Sequence, residues 1–177
     1  MGNNGKMIMA QHKTQADREL LLEFFLTFSR FEYALKVSNY FIRPRTGGND
    51  PSRPPEAKPD WESFAVSLRG TFRTDTNAEL GRASEYILDS PPWKQVITHD
   101  SIAWETPVRP DYESDIEFLL RMVRCVRNNL FHGGKYDIEV HEDTKRTELL
   151  LKSSLTILNQ CLVLAPRVKQ FFDEAVI

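Results

Sequence analysis

From Gln15 to Ile42 the apolar residues return at helical spacing. Leu20, Leu21, Phe24, Phe28, Phe31, Leu35 and Ile42 mark one face of a long helix. Pro44 ends it, because proline cannot continue the helical ladder. Shorter helices are predicted over Trp61–Gly70 and Asn77–Asp89, the second closed by Ser90-Pro91-Pro92. Tyr112–His132 carries the next helical pattern. Asp143 or Thr144 opens a last helix that runs to about Phe172. Leu149, Leu150, Leu155, Leu158, Leu162 and Leu164 imply its burial, and Pro166 is expected to kink or interrupt it. Residues 93–111 read as irregular, with Trp93 and Trp104 as packing residues that fasten this loop to the core. Lys135–Val140 is a candidate for a brief extended segment, but no strand pair is evident. The fold class that follows is all-α, an up-and-down bundle of four to five helices.

Residues 43–60 hold five of the ten prolines and a Gly pair, which predicts a long loop. Its basic residues, Arg43, Arg45, Arg53 and Lys58, read as solvated charges. No domain boundary is expected there, since the first helix alone has nothing to form a core with. The expected organisation is a flexible N-terminus over 1–14 and a single helical domain over 15–177.

With 177 residues, the chain is long enough for one self-sufficient core. A net charge of −2 argues against a general polyanion binder, so any nucleic-acid contact must come from a local basic patch. One is present: Arg121, Arg124, Arg127 and Lys135 fall between Phe118 and Tyr136, a stretch without an acidic residue. Cys125 and Cys161 lie in apolar helical stretches and read as free thiols in a reducing compartment. No window approaches the roughly 20 apolar residues of a membrane span, and the N-terminus has no secretory h-region. A cytoplasmic protein without a membrane partner is expected.

Candidate chemistry concentrates in residues 121–135, RMVRCVRNNLFHGGK. Gly133 and Gly134 stop the helix, so Arg127 and His132 lie at one helix end. An imidazole moves a proton near neutral pH, and a guanidinium grips a phosphate with parallel hydrogen bonds. At about 100° per residue, Ile116, Leu119, Val123, Val126 and Leu130 form the core stripe. Arg124, Asn128 and His132 lie opposite it, with Arg121 beside them. Arg127 sits on the shoulder of the apolar stripe, where an unpaired charge is expensive. Glu32 in the first helix is its candidate acidic partner, beside the plainer reading of a solvated carboxylate. On an ideal helix Arg127 and His132 are about 140° apart. The helix end or a second subunit must therefore bring their heads together. A purely structural reading also exists, in which His132 caps the last carbonyls and Asn128 and Asn129 are surface polar residues.

The Arg-Asn-x-x-x-His arrangement of Arg127, Asn128 and His132 resembles the signature of the HEPN superfamily. Those are small all-helical domains, many of them RNA-cleaving toxins or antiviral effectors. RNNLFHGGK followed by a second long helix is most similar to the Apea-like and stand-alone branches. The resemblance implies a HEPN-like bundle and a homodimer in which two motifs line one shared active-site cleft. It implies metal-independent cleavage of single-stranded or loop RNA, with no cofactor and no metal. Arg127, Asn128 and His132 would be catalytic; Arg121, Arg124 and Lys135 would bind RNA. A partner antitoxin or regulatory protein is a further expectation. In the subgroup paired with nucleotidyltransferase antitoxins a Tyr usually stands two residues after the His; here Gly134 does, and Tyr136 follows. The alternative within the same resemblance is a non-catalytic dimerisation or RNA-binding module. His12, His99, His132 and His141 show no metal-ligand spacing.

Overall fold

The computed structural model describes residues 15–43, 54–131 and 144–175. Among them are six α-helices: α1 (Gln15–Val37), α2 (Trp61–Leu68), α3 (Ala78–Asp89), α4 (Asp115–Phe131), α5 (Thr144–Leu164) and α6 (Pro166–Glu174). A small antiparallel sheet, β1 (Lys94–Thr98) and β2 (Ser101–Glu105), joins α3 to α4. The fold is mostly helical, as the spacing predicts. The expected 1–14 segment and the extended segment at 135–140 lie outside the described residues.

Helix α5 is the hub and packs against α1, α3, α4 and α6. Leu150, Leu151, Leu155, Ile157, Leu158, Cys161 and Leu162 are buried around most of its circumference, while Leu149 is exposed. Buried Ser154 is accommodated because its hydroxyl donates to the Leu150 carbonyl at 2.7 Å, one turn back. Pro166 interrupts the expected last helix: the chain bends by 114° between α5 and α6, with Pro166 in the first turn of α6. Helix α6 folds back on α1, where Arg30 donates to the Phe172 carbonyl at 2.6 Å and covers its ring at 4.3 Å. No single helix among the described residues is long and apolar enough to cross a membrane.

Helix α1 stops earlier than Pro44 requires. Asn39 adopts φ 70°, the left-handed conformation asparagine tolerates, just past the helix end. Tyr40 N–H donates to the Leu35 carbonyl at 2.9 Å and Asn39 N–H to Lys36 at 3.2 Å, the paired bonds of a Schellman stop. The expected loop then has an ordered base. Phe41 pairs with Pro59, and the bonds are made by the flanking residues, Ile42 N–H to Lys58 and Asp60 N–H to Tyr40, both at 2.9 Å. Pro59 thus joins the bridge where no N–H is needed. Residues 44–53 of the loop lie outside the described residues.

Residues 93–111 are corrected in part: the hairpin Lys94–Glu105 replaces irregular chain. Its two-residue turn, His99-Asp100, puts His99 at φ 54°. Turns of this kind favour glycine or asparagine there, so the sequence carried no hairpin signal. Trp93 is 39% exposed, and Trp104 is half-buried opposite Gln95 in the ladder.

The core is rich in aromatic contacts near the loop base. Phe31, fully buried, stacks on Trp61 at 5.2 Å and meets Phe64 edge-on at 5.5 Å.

Candidate functional site

Helix α4 runs from the core to the surface and carries the Arg-Asn pair near its end. In its first half Ile116, Phe118, Leu119, Leu120, Met122 and Val123 are all buried, a wider face than one helical stripe. Val126 is the last buried residue. Arg127, Asn129 and Leu130 are half-buried, and Asn128 and Phe131 are exposed. The final turn therefore emerges from the core at the position of the Arg-Asn pair.

Polar contacts fix the start of α4. Glu117 reaches back to the Ser114 N–H at 3.0 Å and accepts from its hydroxyl at 2.5 Å, one arm of a capping box. Arg69 grips the same carboxylate with two bonds, of 2.7 and 2.5 Å. That guanidinium, helped by Ser114, holds the Glu117 carboxyl well below the usual range, at about 2.

Arg127 lies on rings rather than on a carboxylate. Its guanidinium is 5.7 Å from the Phe28 ring centroid and 5.3 Å from that of Phe131, and its Nη1 donates to Asn128 Oδ1 at 3.1 Å. The candidate Arg127–Glu32 contact does not form among the described residues, and neither is Glu32 simply solvated. Glu32 accepts instead from the Trp61 indole N–H at 3.3 Å. The physical reason is packing: the α1 surface beneath Arg127 is aromatic, and α2 presents its indole donor to Glu32.

The other expected cations divide. Arg121 is committed to Glu113 by two bonds, of 2.8 and 2.6 Å, donates to the Val108 carbonyl at 3.0 Å, and covers the Phe118 ring at 4.9 Å. The Glu113 carboxylate raises its pKa further. A phosphate at Arg121 would have to displace that carboxylate. Arg124 is half-buried and, among the described residues, has no ion-pair partner. His132 and Lys135 lie outside the described residues. The structure thus brings Arg127 and Asn128 together and leaves Arg121 in a separate ion pair.

Asn129, read from sequence as a surface polar residue, has a placed role. Its side-chain amide donates to the Trp93 carbonyl at 2.7 Å, and the Cys125 thiol approaches the same oxygen at 3.4 Å. Arg146 of α5 donates to the Pro91 carbonyl at 2.8 Å and lies 5.8 Å from the Trp93 ring centroid. These contacts tie the approach to the hairpin onto the exposed end of α4. The spacing of Cys125 and Asn129, one turn apart, is the only sequence signal of this clamp. Cys125 and Cys161 are not joined in a disulfide, and burial pushes the Cys161 thiol far above its usual value.

Chemically, the last turn of α4 offers a half-buried cation, an amide hydrogen-bonded to it, and aromatic surface. Comparison with protein-family models, with curated proteins and with solved structures found no match to this chain.

Proposed function

We propose that the chain is a metal-independent endoribonuclease of the HEPN type that cuts single-stranded or loop RNA, acting in the cytoplasm as a toxin or antiviral effector. The observation that carries this reading is the Arg-Asn pair of the Arg-Asn-x-x-x-His sequence, which lies where α4 leaves the core, with Arg127 and Asn128 hydrogen-bonded at 3.1 Å. In the proposed reaction the RNA 2′-hydroxyl attacks the adjacent phosphorus and the 5′-oxygen leaves, giving a 2′,3′-cyclic phosphate. His132 moves protons to or from these oxygens, and Arg127 stabilises the negative charge of the phosphorane. Asn128 positions the guanidinium. Arg124 and Lys135 steer the backbone by charge. Because Arg127 and His132 diverge on an ideal helix, a homodimer that faces two motifs across one cleft is part of the proposal, as is control by an antitoxin or regulatory protein.

One observation favours a second reading. Arg127 already has a packing role, spanning the Phe28 and Phe131 rings, and such a role needs no catalysis. On that reading the chain is a HEPN-like dimerisation or RNA-binding module. Incubation with mixed single-stranded RNA in excess chelator separates the two. Cleavage by the wild type that disappears in His132→Ala supports the nuclease; RNA binding with equal or no cleavage in both supports the module.

A further inference from the structure

Beside Arg127 the molecule presents two partly exposed aromatic rings to solvent. Phe25 of α1 is 43% exposed and Phe131 of α4 is 47% exposed, and their rings lie 5.3 Å apart at 44°. Leu22, one turn before Phe25, is 56% exposed and widens the apolar surface. Burying such rings is normally favourable, so their exposure next to a motif marks a contact surface. Charge indicates what it contacts. The Arg127 guanidinium is 5.3 Å from the Phe131 ring centroid. Arg124 lies one turn earlier on α4, and exposed Arg18 continues the Leu22–Phe25 stripe of α1. No acidic residue falls between Phe118 and Tyr136. On α1, Glu19 and Glu23 project about 120° and 160° away from Phe25. Glu32, two turns along from Phe25, is held by the Trp61 N–H at 3.3 Å. Aromatic rings beside cations that have no ion-pair partner among the described residues match a nucleobase attached to a phosphodiester, since stacking tolerates any base and the cations meet the backbone.

The geometry points to Phe25 and Phe131 as a base-stacking platform that holds a nucleotide of single-stranded RNA next to the scissile phosphate. This rests on the reading of the chain as an RNA-cleaving protein and adds to it the residues that choose unpaired over duplex RNA, because a base in a duplex has no free face to offer. It also predicts that purines, with larger faces, bind better than pyrimidines.

The test uses the full chain carrying His132→Ala, excess chelator, and labelled 12-nucleotide probes of oligoadenylate, oligouridylate and an abasic ribose-phosphate strand, read by fluorescence anisotropy. The expected order is oligoadenylate, then oligouridylate, then abasic. Phe25→Leu and Phe131→Leu keep apolar volume but lose the ring, and each should weaken oligoadenylate binding about 5- to 150-fold. Binding of the abasic strand should not change, and Phe25→Tyr should restore the oligoadenylate affinity. Leucine variants that bind oligoadenylate like the parent overturn the platform, as does equal affinity for all three probes. So does a leucine variant that sediments at half the parent mass, which would assign the surface to a second copy of the chain. His132-dependent cleavage with unaffected leucine variants would sink the platform and leave the nuclease standing. A parent chain that binds none of the probes would remove both.

Discussion

Replacing Arg127 separates its packing role from any chemistry, and the structure sets the scale. The guanidinium lies within 6 Å of two ring centroids, Phe28 at 5.7 Å and Phe131 at 5.3 Å. A cation–π contact at a partly exposed site is worth about 0.5–1 kcal/mol, so two give about 1–2 kcal/mol. The bond to the neighbouring Asn128 at 3.1 Å is exposed and adds little. Arg127→Met keeps the apolar stem and removes the charge, so it should lose about 1–2 kcal/mol by urea unfolding, or roughly 2–8 °C in Tm for a domain of this size. Arg127→Lys keeps a cation over the rings and should recover most of that stability. It loses the planar fork, so RNA cleavage should stay poor. Stability and cleavage are measured on the same preparations, the second in excess chelator. If Arg127→Met unfolds at the wild-type urea concentration, the ring contacts contribute nothing and the structural account of Arg127 is wrong. If Arg127→Lys cleaves at the wild-type rate, bidentate phosphate contact is not what the residue supplies.

Other consequences are independent of that residue. His132→Ala should lower RNA cleavage by roughly 10²–10⁴-fold while the protein stays folded by circular dichroism, and undiminished cleavage would remove the imidazole from the mechanism. Glu117, held at about 2 against an ordinary value of 4.5, stabilises the folded state fully above its unfolded pKa and loses that contribution as pH falls from about 5 toward 2. Glu117→Gln should flatten this part of the stability–pH curve, and an unchanged slope would show that the Arg69 pair does not act in solution. Phe31→Ala, at a fully buried position against Trp61, Phe64 and Phe172, should cost about 3–5 kcal/mol in denaturant unfolding. Asn39→Ala puts a less tolerant residue at φ 70° and should cost about 1 kcal/mol, whereas Asn39→Gly should be close to neutral in a thermal melt.

What was legible in the sequence was whatever one helix decides for itself. The 3.6-residue spacing located the helices, and Pro166 announced the break between α5 and α6. The stop of α1 was also local, but the signal was Asn39 rather than Pro44. An asparagine that takes up the left-handed conformation ends a helix before a later proline is reached. The hairpin left no such signal. Its turn is His99-Asp100, and Ile97 and Ile102, 85% and 68% exposed, face solvent where an alternating strand would place polar residues. Side-chain partners were the least legible part, because they depend on which other element arrives. Glu113 lies before α4 and folds back to Arg121 across eight positions, beyond the reach of a helical wheel.

Arg127 shows both sides of this limit. Its place on the shoulder of the apolar stripe predicts a charge in need of compensation, and the residue is half-buried. The wheel of α4 could not say what compensates it. That depends on the face α1 turns toward it, and the spacing of Phe24, Phe28 and Phe31 that buries α1 also places the Phe28 ring within 5.7 Å of the guanidinium. A carboxylate there would have fixed the charge in a directional pair, as Glu113 does for Arg121. Ring faces stabilise the cation, and among the described residues only Asn128 takes one of its N–H donors. The apolar patterning of α1 therefore leaves at the end of α4 a cation held by ring faces rather than by a carboxylate, so the phosphate contact proposed for Arg127 would break no ion pair among the described residues.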